Sequence, residues 1–276
     1  MEGFSGKVAV VTGAGSGIGR ALAVELARSG AKIAISDIDN EGLAETERQI
    51  KSLGGDVRSD RLNVAEREAF LLYADAIKEH FGTVNQIYNN AGIDFHGELE
   101  ASEFKDIERI IDVDFWGVVN GTKAFLPHLI ASGDGHVVNV SSLFGVLSMP
   151  GQSAYNSAKF AVRGFTESLR QEMIIGKKPV AVTCVHPGGI KTNVARNATV
   201  AEGYDHAEFT KLFDMLARTR PQAAARIILT AVRKKKPRVL VGPDAKAIDI
   251  LVRLTGARYQ DLFVLGERFL MPKRSH

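Results

Sequence analysis

Short runs rich in β-branched residues alternate with longer helical patterns along most of the 276-residue chain. The runs that predict strands lie at residues 7–12, 32–37, 56–62, 84–89, 135–141, 180–185 and 238–242. The stretches that predict helices between them include residues 18–29, 41–52, 66–80, 103–130 and 153–175. Several of the strands are apolar throughout, as expected where helices cover both faces of a sheet. This order predicts an α/β fold, a doubly wound, mostly parallel, seven-stranded Rossmann sheet with helices on both faces.

Composition allows one large core and gives little support to a nucleic-acid partner. Hydrophobic residues make up 45% of the chain, and no internal repeat or linker divides it. We therefore expect a single Rossmann-type domain over residues 1–276. The net charge of +3 is too small to indicate binding to nucleic acid.

Several features argue against export, membrane insertion and metal binding. The N-terminus lacks the apolar core of a signal peptide, and no run approaches about 18 consecutive apolar residues, so we expect no membrane span. Cys184, the single cysteine, lies in an apolar run, which indicates a buried thiol in a reducing compartment. No cluster of His, Cys and Asp has metal-ligand spacing, so we predict no metal. Together these features predict a soluble cytoplasmic protein.

The turn after the first predicted strand is rich in glycine and reads "TGAGSGIG" over residues 12–19. Glycines at alternate positions let the backbone turn tightly and bring its N–H groups close to a pyrophosphate. That anion would rest on the N-terminus of the helix that begins near Ile18. Because the turn follows a strand and opens a β-α-β unit, it predicts a dinucleotide site. The alternative is a glycine-rich turn without a ligand.

The second predicted strand ends at Asp37, eighteen residues beyond Gly19. An acidic residue at about this distance accepts hydrogen bonds from the ribose hydroxyls of NAD and repels the 2′-phosphate of NADP. Neither Ser16 in the turn nor Ile38 after the aspartate supplies a positive charge. We therefore expect NAD as the cofactor. The alternative for Asp37 is a solvated loop acid or a helix cap.

Tyr155 and Lys159 belong to the pattern "YNSAK", which places both side chains on one face of a helix, one turn apart. A tyrosine with a pKa of about 10 is a poor base at neutral pH, and a nearby ammonium favours its phenolate. Ser142 lies thirteen residues before Tyr155. The pair alone is weak evidence, because a half-buried helix tyrosine is the ordinary alternative.

Four motifs occur in a fixed order: "TGAGSGIG", "NNAG" at residues 89–92, "YNSAK", and "HPGGIKT" at residues 186–192. With these motifs the chain resembles the short-chain dehydrogenase/reductase family over roughly residues 6–242. Each motif is modest alone, but the ordered set is specific. The resemblance implies a single-domain, nicotinamide-dependent oxidoreductase that acts on alcohols or carbonyls.

The resemblance also implies catalytic roles. Tyr155 is then the general acid/base, and Lys159 holds the nicotinamide ribose and lowers the pKa of Tyr155. Ser142 holds the substrate oxygen, with Ser141 ranked second. Asp114 stands where the family has an asparagine that completes a catalytic tetrad. An aspartate there either serves the proton path to Lys159 or only fixes a kink in its long helix.

The same resemblance implies the contacts to the cofactor. The segment from Asn90 to Gly92 packs near the adenosine ribose, Val64 meets the adenine, and Thr12 stabilises the central sheet. Asn63 stands where the family usually has an aspartate, and its amide oxygen can accept the adenine amino hydrogens. The implied cofactor-binding residues are Gly13, Gly15, Ser16, Gly17, Ile18, Gly19, Asp37, Asn63, Val64, Asn90, Ala91, Gly92, Tyr155, Lys159, Pro187, Gly188, Ile190 and Thr192. Of these, Ile190 and Thr192 meet the nicotinamide amide.

The rest of the chain bears on the substrate. The apolar residues within 143–149, together with Phe95 and His96, predict a pocket for a hydrophobic substrate, with core packing as the alternative. Residues 193–220 occupy the place of the family's variable substrate lid. Residues 243–276 form a C-terminal extension that we expect to pack on the body, the lid or a neighbouring subunit. Peripheral contact with a membrane surface is a weaker alternative for the extension.

We therefore expect an oxidoreductase that transfers a hydride between NAD(H) and a hydrophobic secondary alcohol or ketone. The alternatives are an NADP(H)-preferring carbonyl reductase and a non-catalytic protein that senses NAD(H). The expected partners are a small-molecule alcohol or ketone and further copies of this chain in a homodimer or homotetramer.

Overall fold

A parallel sheet of seven strands forms the centre of the computed structural model, which describes residues 3–194 and 196–270. In chain order the strands are β1 (Val8–Thr12), β2 (Lys32–Asp37), β3 (Val57–Arg61), β4 (Gln86–Asn89), β5 (Phe95–His96), β6 (Gly135–Val140), β7 (Val180–Pro187), β8 (Thr199–Val200) and β9 (Arg238–Val241). The sheet order is β3-β2-β1-β4-β6-β7-β9, and β5 pairs with β8 separately. All pairings are parallel, so the predicted Rossmann sheet is confirmed.

Helices follow the strands as the hydrophobic pattern predicts, with one exception. They are α1 (Gly17–Arg28), α2 (Asn40–Ser52), α3 (Arg67–Phe81), α4 (Phe104–Ile111), α5 (Gly117–Ala131), α6 (Ser153–Ile175), α7 (His206–Leu216), α8 (Pro221–Arg233), α9 (Pro243–Thr255) and α10 (Tyr259–Leu270). The helix predicted over 103–130 is present from Phe104 to Ala131, but a π-helical turn, Asp112–Trp116, lies between α4 and α5. Such turns are frequent at functional sites, and this one contains Asp114.

Both faces of the sheet are covered, because successive residues of each strand point to opposite faces. On one face, Val11 of β1 packs in a cluster with Leu22 of α1 and Ile228 of α8. On the other face, Val10 packs in a cluster with Phe125 of α5. Helices therefore cover both apolar faces of the sheet, and the polar functional residues lie at the ends of its strands.

The loops after β1, β2, β4, β6 and β7 all leave the same edge of the sheet, because the strands run parallel. This edge receives the glycine-rich turn, the end of β2 at Asp37, the "NNAG" segment, Ser142 and the "HPGG" segment. Motifs that are far apart in sequence are thus brought together at one end of the sheet.

The predicted lid, residues 193–220, and the predicted C-terminal extension, residues 243–276, also lie at this edge of the sheet where the structure describes them. In the predicted lid, β8 pairs with β5 directly after the "NNAG" segment. In the predicted extension, α9 and α10 pack over the loop after Ser142, where Tyr259 belongs to a cluster with Leu143 and Leu147. Ala195 of the lid, residues 1–2 and residues 271–276 lie outside the described residues. The single-domain organisation and the lid remain predictions.

None of the helices in the described part of the chain is both long and apolar enough to cross a membrane. Cys184 is fully buried in β7, and burial raises its pKa to about 12. The sulfur is therefore held as a neutral thiol within the core.

Candidate active site

The glycine-rich turn forms a close-fitting backbone cradle at the N-terminus of α1. Gly13 and Gly17 have positive φ values of 63° and 53°, which favour glycine. A Cβ atom at Gly13 would lie 2.7 Å from the Cα of Ala91, so a side chain there would collide with backbone. Ser16 makes no side-chain cap, and the first turn of α1 holds no acidic residue. The exposed amide end of α1 therefore fits an anionic pyrophosphate.

Thr12 and Asn90 fasten this cradle to β4. The backbone N–H groups of Asn90 and Ala91 donate to Thr12 Oγ1 at 3.0 and 3.1 Å. The side-chain amide of Asn90 donates to the carbonyl oxygens of Thr12 and Gly13 at 3.0 and 3.2 Å. Thr12 thus links β1 to β4, and the contact of Asn90 and Ala91 with the adenosine ribose stays a prediction.

Asp37 contacts the glycine-rich turn directly. One of its carboxylate oxygens accepts a hydrogen bond from the N–H of Gly15 at 2.8 Å, and the other accepts one from the N–H of Asp39 at 3.1 Å. The cap of α2 is Asp39, whose side chain accepts from Gly42, so the cap alternative for Asp37 does not apply. Asp37 therefore presents a negative charge at the edge of the cradle.

Arg20 is a cation near Asp37 and Gly15, and its guanidinium already makes hydrogen bonds within the protein. Its Nε donates to Thr46 Oγ1 at 2.9 Å, and its guanidinium also donates to the carbonyl oxygens of Gly42 and Gly15. These contacts hold the guanidinium against the backbone of α2 and the turn. Arg20 is thus not positioned to offset the charge of Asp37.

Asn63 and Val64, the predicted adenine contacts, follow β3. The side chain of Asn63 accepts from the N–H of Ala65 at 3.2 Å and donates to Glu66 at 3.0 Å. Val64 is buried, and its carbonyl oxygen accepts from the side chain of Asn120 at 3.0 Å. The side chain of Val64 therefore packs inward, and the amide of Asn63 is partly committed to its own loop.

The "HPGGIKT" segment returns from the end of β7 to the glycine-rich turn. The N–H of Gly188 donates to Val241 at 2.9 Å, and Ile190 is buried. A Cβ atom at Gly17 would lie 3.1 Å from Cγ2 of Thr192, which places this threonine against the turn. Pro187 ends β7. The segment after β7 and the glycine-rich turn, the two ends of the predicted cofactor site, are therefore in contact.

Tyr155, Lys159 and Ser142 lie together at the centre of this edge. The ammonium of Lys159 is 5.3 Å from the centroid of the Tyr155 ring. Ser142 Oγ accepts from the N–H of Phe144 at 3.1 Å, which leaves its hydroxyl hydrogen available. Ser141 donates its hydroxyl to the carbonyl oxygen of Lys159 at 2.8 Å. Of the two serines, Ser142 is therefore the one with a free donor.

Asp114 forms a buried ion pair with Lys159. The Asp114 carboxylate is 2.8 Å from the Lys159 ammonium, and its other oxygen accepts from the N–H of Ile93 at 2.8 Å. Asp114 is fully buried, and Lys159 is 3% exposed. A Cβ atom at Gly92 would lie 3.2 Å from Asp114 and 3.3 Å from Lys159. Asp114 therefore does more than shape its helix, because its charge contacts the lysine of the motif.

These contacts determine the pKa values at the centre of the site. For Lys159, burial lowers the pKa, but Asp114, Tyr155 and Asp94 together outweigh burial and raise it. For Asp114, burial raises the pKa, and Lys159 opposes that shift. For Tyr155, burial raises the pKa to about 12 although Lys159 lowers it, with Asp94 and Asp114 raising it further. In this structure the phenol of Tyr155 is favoured over the phenolate, so the expected net lowering of its pKa does not occur here.

The apolar residues near Ser142 divide into two groups. Phe144 contacts the Tyr155 ring edge-to-face, with centroids 6.0 Å apart. Leu143 and Leu147 are buried beneath α9 and α10 in a cluster with Tyr259, against which Phe144 is only partly buried. Only part of this loop is therefore available to a substrate, and the core-packing alternative applies to the two leucines.

Sequence reasoning missed four residues that shape the site. Asp244 of α9 accepts from the N–H of Gly189 at 2.6 Å, and Tyr259 of α10 accepts from the N–H of Ser148 at 3.0 Å. Asp94 and Gln152 are buried beside Tyr155. No local motif marks any of them, because their roles arise from contacts between distant segments. Among the described residues, no group of three or more His, Cys, Asp or Glu side chains could hold a metal ion.

The fold and the site are those of a known family of proteins. The family model described as short chain dehydrogenase matches residues 7–203, and the chain belongs to this family of oxidoreductases. It is 64% identical over 273 residues to the putative oxidoreductase SadH of Mycobacterium tuberculosis, covering 99% of both chains. It is 34% identical to a cyclohexanol dehydrogenase of Acinetobacter sp., over 82% of this chain and 87% of that protein.

A solved structure with a similar fold contains the cofactor expected from the sequence. This is a short chain dehydrogenase/reductase from Burkholderia phymatum in complex with NAD. It has a TM-score of 0.85 and 28% sequence identity, with 100% of both chains covered. The present chain therefore shares its fold with a family member whose structure holds NAD.

Proposed function

We propose that this protein transfers a hydride between NAD(H) and a secondary alcohol or ketone with an apolar body. The observation that carries the proposal is the cluster of half-buried Tyr155 with buried Lys159 and Asp114 beside Ser142, next to a cradle that fits a dinucleotide. A half-buried tyrosine coupled to a paired lysine is the arrangement that proton transfer to and from a substrate oxygen requires.

When bound, the nicotinamide accepts a hydride from the carbinol carbon or returns it to the carbonyl carbon. The residues of this chain handle the proton and the substrate oxygen. In reduction, the Tyr155 hydroxyl donates its proton to that oxygen, and in oxidation its phenolate removes the proton. The Ser142 hydroxyl donates a hydrogen bond to the oxygen as negative charge develops on it. The Lys159 ammonium stabilises the phenolate, and Asp114 keeps that ammonium charged and in place.

The proposed cofactor is NAD rather than NADP. The carboxylate of Asp37 lies against Gly15, where the 2′-oxygen of an adenosine ribose would be bound. A 2′-phosphate would meet that charge, while Arg20 is held by its own hydrogen bonds to α2 and the turn. The NAD complex of the similar Burkholderia phymatum structure supports the same choice.

The proposed substrate carries an apolar body next to its carbinol. Phe144, Phe95 and Ala201 surround Tyr155 with apolar surface. The names of two relatives support this, a cyclohexanol dehydrogenase and an estradiol 17-beta-dehydrogenase 11 that is 34% identical over 203 residues. We also infer a cytoplasmic homodimer or homotetramer. Phe104, exposed by 83%, and Trp116 offer apolar surface for a subunit contact, which size-exclusion chromatography with light scattering tests.

The direct test is a screen for NAD⁺ reduction, followed by absorbance of NADH, over aliphatic, terpenoid, steroid and acyl alcohols. We expect turnover of at least one apolar secondary alcohol with NAD⁺, and weaker turnover with NADP⁺. Tight NADH binding without turnover of any alcohol or ketone would contradict the proposal and favour an NAD(H)-sensing protein.

A further inference from the structure

Three polar side chains are buried next to Tyr155 and have no part in the proton path described above. They are Asp94, His96 and Gln152, hereafter the polar cluster, and their exposed fractions are 7%, 4% and 4%. Asp94 and His96 follow the "NNAG" segment, and Gln152 directly precedes α6. Burying polar side chains is costly unless hydrogen bonds compensate, so the partners of each atom need to be traced.

Asp94 is held in place from both sides of the pocket. Its Oδ1 accepts from the N–H of Phe95 at 2.8 Å, and its backbone carbonyl oxygen accepts from the N–H of Thr199 at 3.2 Å. The side chain of Gln152 lowers the pKa of the Asp94 carboxyl, in opposition to burial. Asp94 is therefore fixed between the predicted lid and the start of α6.

Two acceptor-capable atoms of the polar cluster have no partner. Gln152 Oε1 and His96 Nδ1 are both buried and make no hydrogen bond. The side-chain oxygen of Gln152 is therefore a buried acceptor without a donor. The His96 ring lies against Gly151, since a Cβ atom there would lie 2.9 Å from Nδ1. Burial lowers the pKa of His96, so its ring is neutral near pH 7.

The lid covers the polar cluster with aromatic rings. Phe209 stacks on the His96 ring with centroids 4.9 Å apart, and Tyr204 meets it edge-to-face at 5.2 Å. Below, Phe95 and Ala201 pack in one cluster with Tyr155. The unpaired His96 Nδ1 therefore lies beneath the lid, and His96 and Gln152 belong to the two chain segments that carry Phe95 and Tyr155.

The charge on Asp94 is also coupled to the reaction centre. Burial raises the pKa of Asp94 to about 7, and its carboxylate in turn raises the pKa of both Tyr155 and Lys159. A ligand group that donates a hydrogen bond to the amide oxygen of Gln152 would satisfy that buried acceptor.

We propose that the polar cluster is a second substrate subsite that binds a hydroxyl group, so that the substrate is a diol or a hydroxyketone with an apolar body. The inference rests on the proposed function and adds the substrate class. A hydroxyl fits because its one hydrogen can be donated to a buried acceptor, either the unpaired amide oxygen of Gln152 or the carboxylate of Asp94. A substrate carboxylate would meet like charge at Asp94, and a purely apolar group would leave the buried acceptors unpaired.

The test compares matched alcohols that differ only in the second group. We would measure kcat/KM with NAD⁺ for trans-cyclohexane-1,2-diol, cyclohexanol and trans-2-aminocyclohexanol. The wild type is expected to prefer the diol over cyclohexanol by about 10- to 100-fold, mainly through KM, as the gain of one or two buried hydrogen bonds predicts. Equal use of diol and cyclohexanol, or preference for the amino alcohol, would overturn the proposal while leaving the proposed function intact.

Two variants assign the preference to the polar cluster. Gln152→Leu removes the unpaired acceptor, and Asp94→Asn removes the charge, so each is expected to reduce the ratio of diol to cyclohexanol to near one. Gln171→Leu, the same substitution at an exposed position of α6, is the matched control and should keep the wild-type ratio. An unchanged ratio in folded Asp94→Asn and Gln152→Leu would overturn the assignment.

A binding measurement separates failure of this inference from failure of the proposed function. Titration calorimetry on the wild type saturated with NADH should show tighter binding of the diol than of cyclohexanol, and Asp94→Asn should remove the difference. If no alcohol is turned over but the diol still binds more tightly, the subsite stands and the proposed hydride transfer fails. If neither alcohol binds, the subsite is refuted.

Discussion

Asp114 stands at a position where an asparagine would present the same shape without the charge. Its carboxylate both accepts from Ile93 at 2.8 Å and pairs with Lys159 at 2.8 Å. Removing one partner of such a buried pair typically costs about 3–5 kcal/mol, because the other charge is left without compensation. An amide would keep the hydrogen bond to Ile93 and lose the negative charge. Charge, rather than shape, is therefore what the aspartate adds to the site.

The charge of Asp114 should be visible in the pH dependence of the reaction. Its carboxylate raises the pKa of Tyr155, so a neutral amide should lower that pKa and make the phenolate available at lower pH. In Asp114→Asn, the rise of alcohol oxidation with pH should therefore shift toward lower pH. Profiles of kcat/KM between about pH 6 and pH 10 measure the shift. An unchanged profile would contradict any effect of the Asp114 charge on Tyr155, and a shift to higher pH would show that Asp114 acts mainly by keeping Lys159 protonated.

Asp37 should determine the choice between the two nicotinamide cofactors. Its carboxylate accepts from Gly15 at 2.8 Å, in the place where a 2′-phosphate would need positive charge. We expect Asp37→Ala to raise KM for NAD⁺ and lower KM for NADP⁺, because one hydroxyl acceptor and one repulsive charge are both lost. The ratio of kcat/KM for the two cofactors is the measurement. Asp39→Ala, which removes only the α2 cap, serves as the control, and equal ratios in both variants would contradict the role of Asp37.

Helices α9 and α10 support the site from outside, although neither carries a predicted functional residue. Asp244 of α9 holds Gly189, and Tyr259 of α10 holds Ser148. Leu143 and Leu147 fill the space between the substrate loop and these helices. Of the alternatives for the extension, packing on the body is the one that the structure shows, and it ties the end of the chain to both loops beside Tyr155.

The contact between α10 and the substrate loop should affect substrate more than cofactor. Tyr259→Phe removes the acceptor of the Ser148 N–H, a loss of about 0.5–1.5 kcal/mol for a hydrogen bond of this type. We expect a higher KM for the alcohol with little change in KM for NAD⁺. Tyr73→Phe, within the aromatic cluster of α3 and α5, is the matched control and should leave both constants near wild type. Equal changes in both KM values for Tyr259→Phe would contradict this division.

For the whole molecule, the sheet can be predicted from the sequence, because strands and helices differ in the local spacing of their apolar residues. Strands β1 and β2 and helix α6 lie within one residue of their predicted bounds. The π-helical turn at Asp112–Trp116 escaped prediction, because it accompanies contacts of Asp114 with Ile93 and Lys159, which are distant in sequence. The local hydrophobic pattern cannot predict contacts between residues that are distant in sequence and meet only in the folded protein.

In the candidate site, too, some residues could be predicted from local sequence signatures and others could not. The glycine-rich turn, Asp37 and the "YNSAK" segment carry local signatures, so their meeting at one sheet edge follows from a parallel sheet. Asp94 and Gln152 have no signature, since each is an ordinary polar residue until burial and mutual contact give it a role. Similarly, the pKa of Tyr155 could not be read from its spacing to Lys159, because burial outweighs the effect of the lysine.

The most direct test of the account replaces the hydroxyl that is proposed to carry the proton. Tyr155→Phe keeps the ring that packs near Lys159 and Phe144 and removes only that group. General acid–base catalysis contributes about 100- to 10,000-fold, so kcat with NAD⁺ and the best alcohol of the screen should fall by at least about 100-fold. NADH binding, followed by fluorescence titration, should stay near wild type. Retention of most of the activity by a Tyr155→Phe protein that still binds NADH would contradict the central claim that Tyr155 transfers the proton.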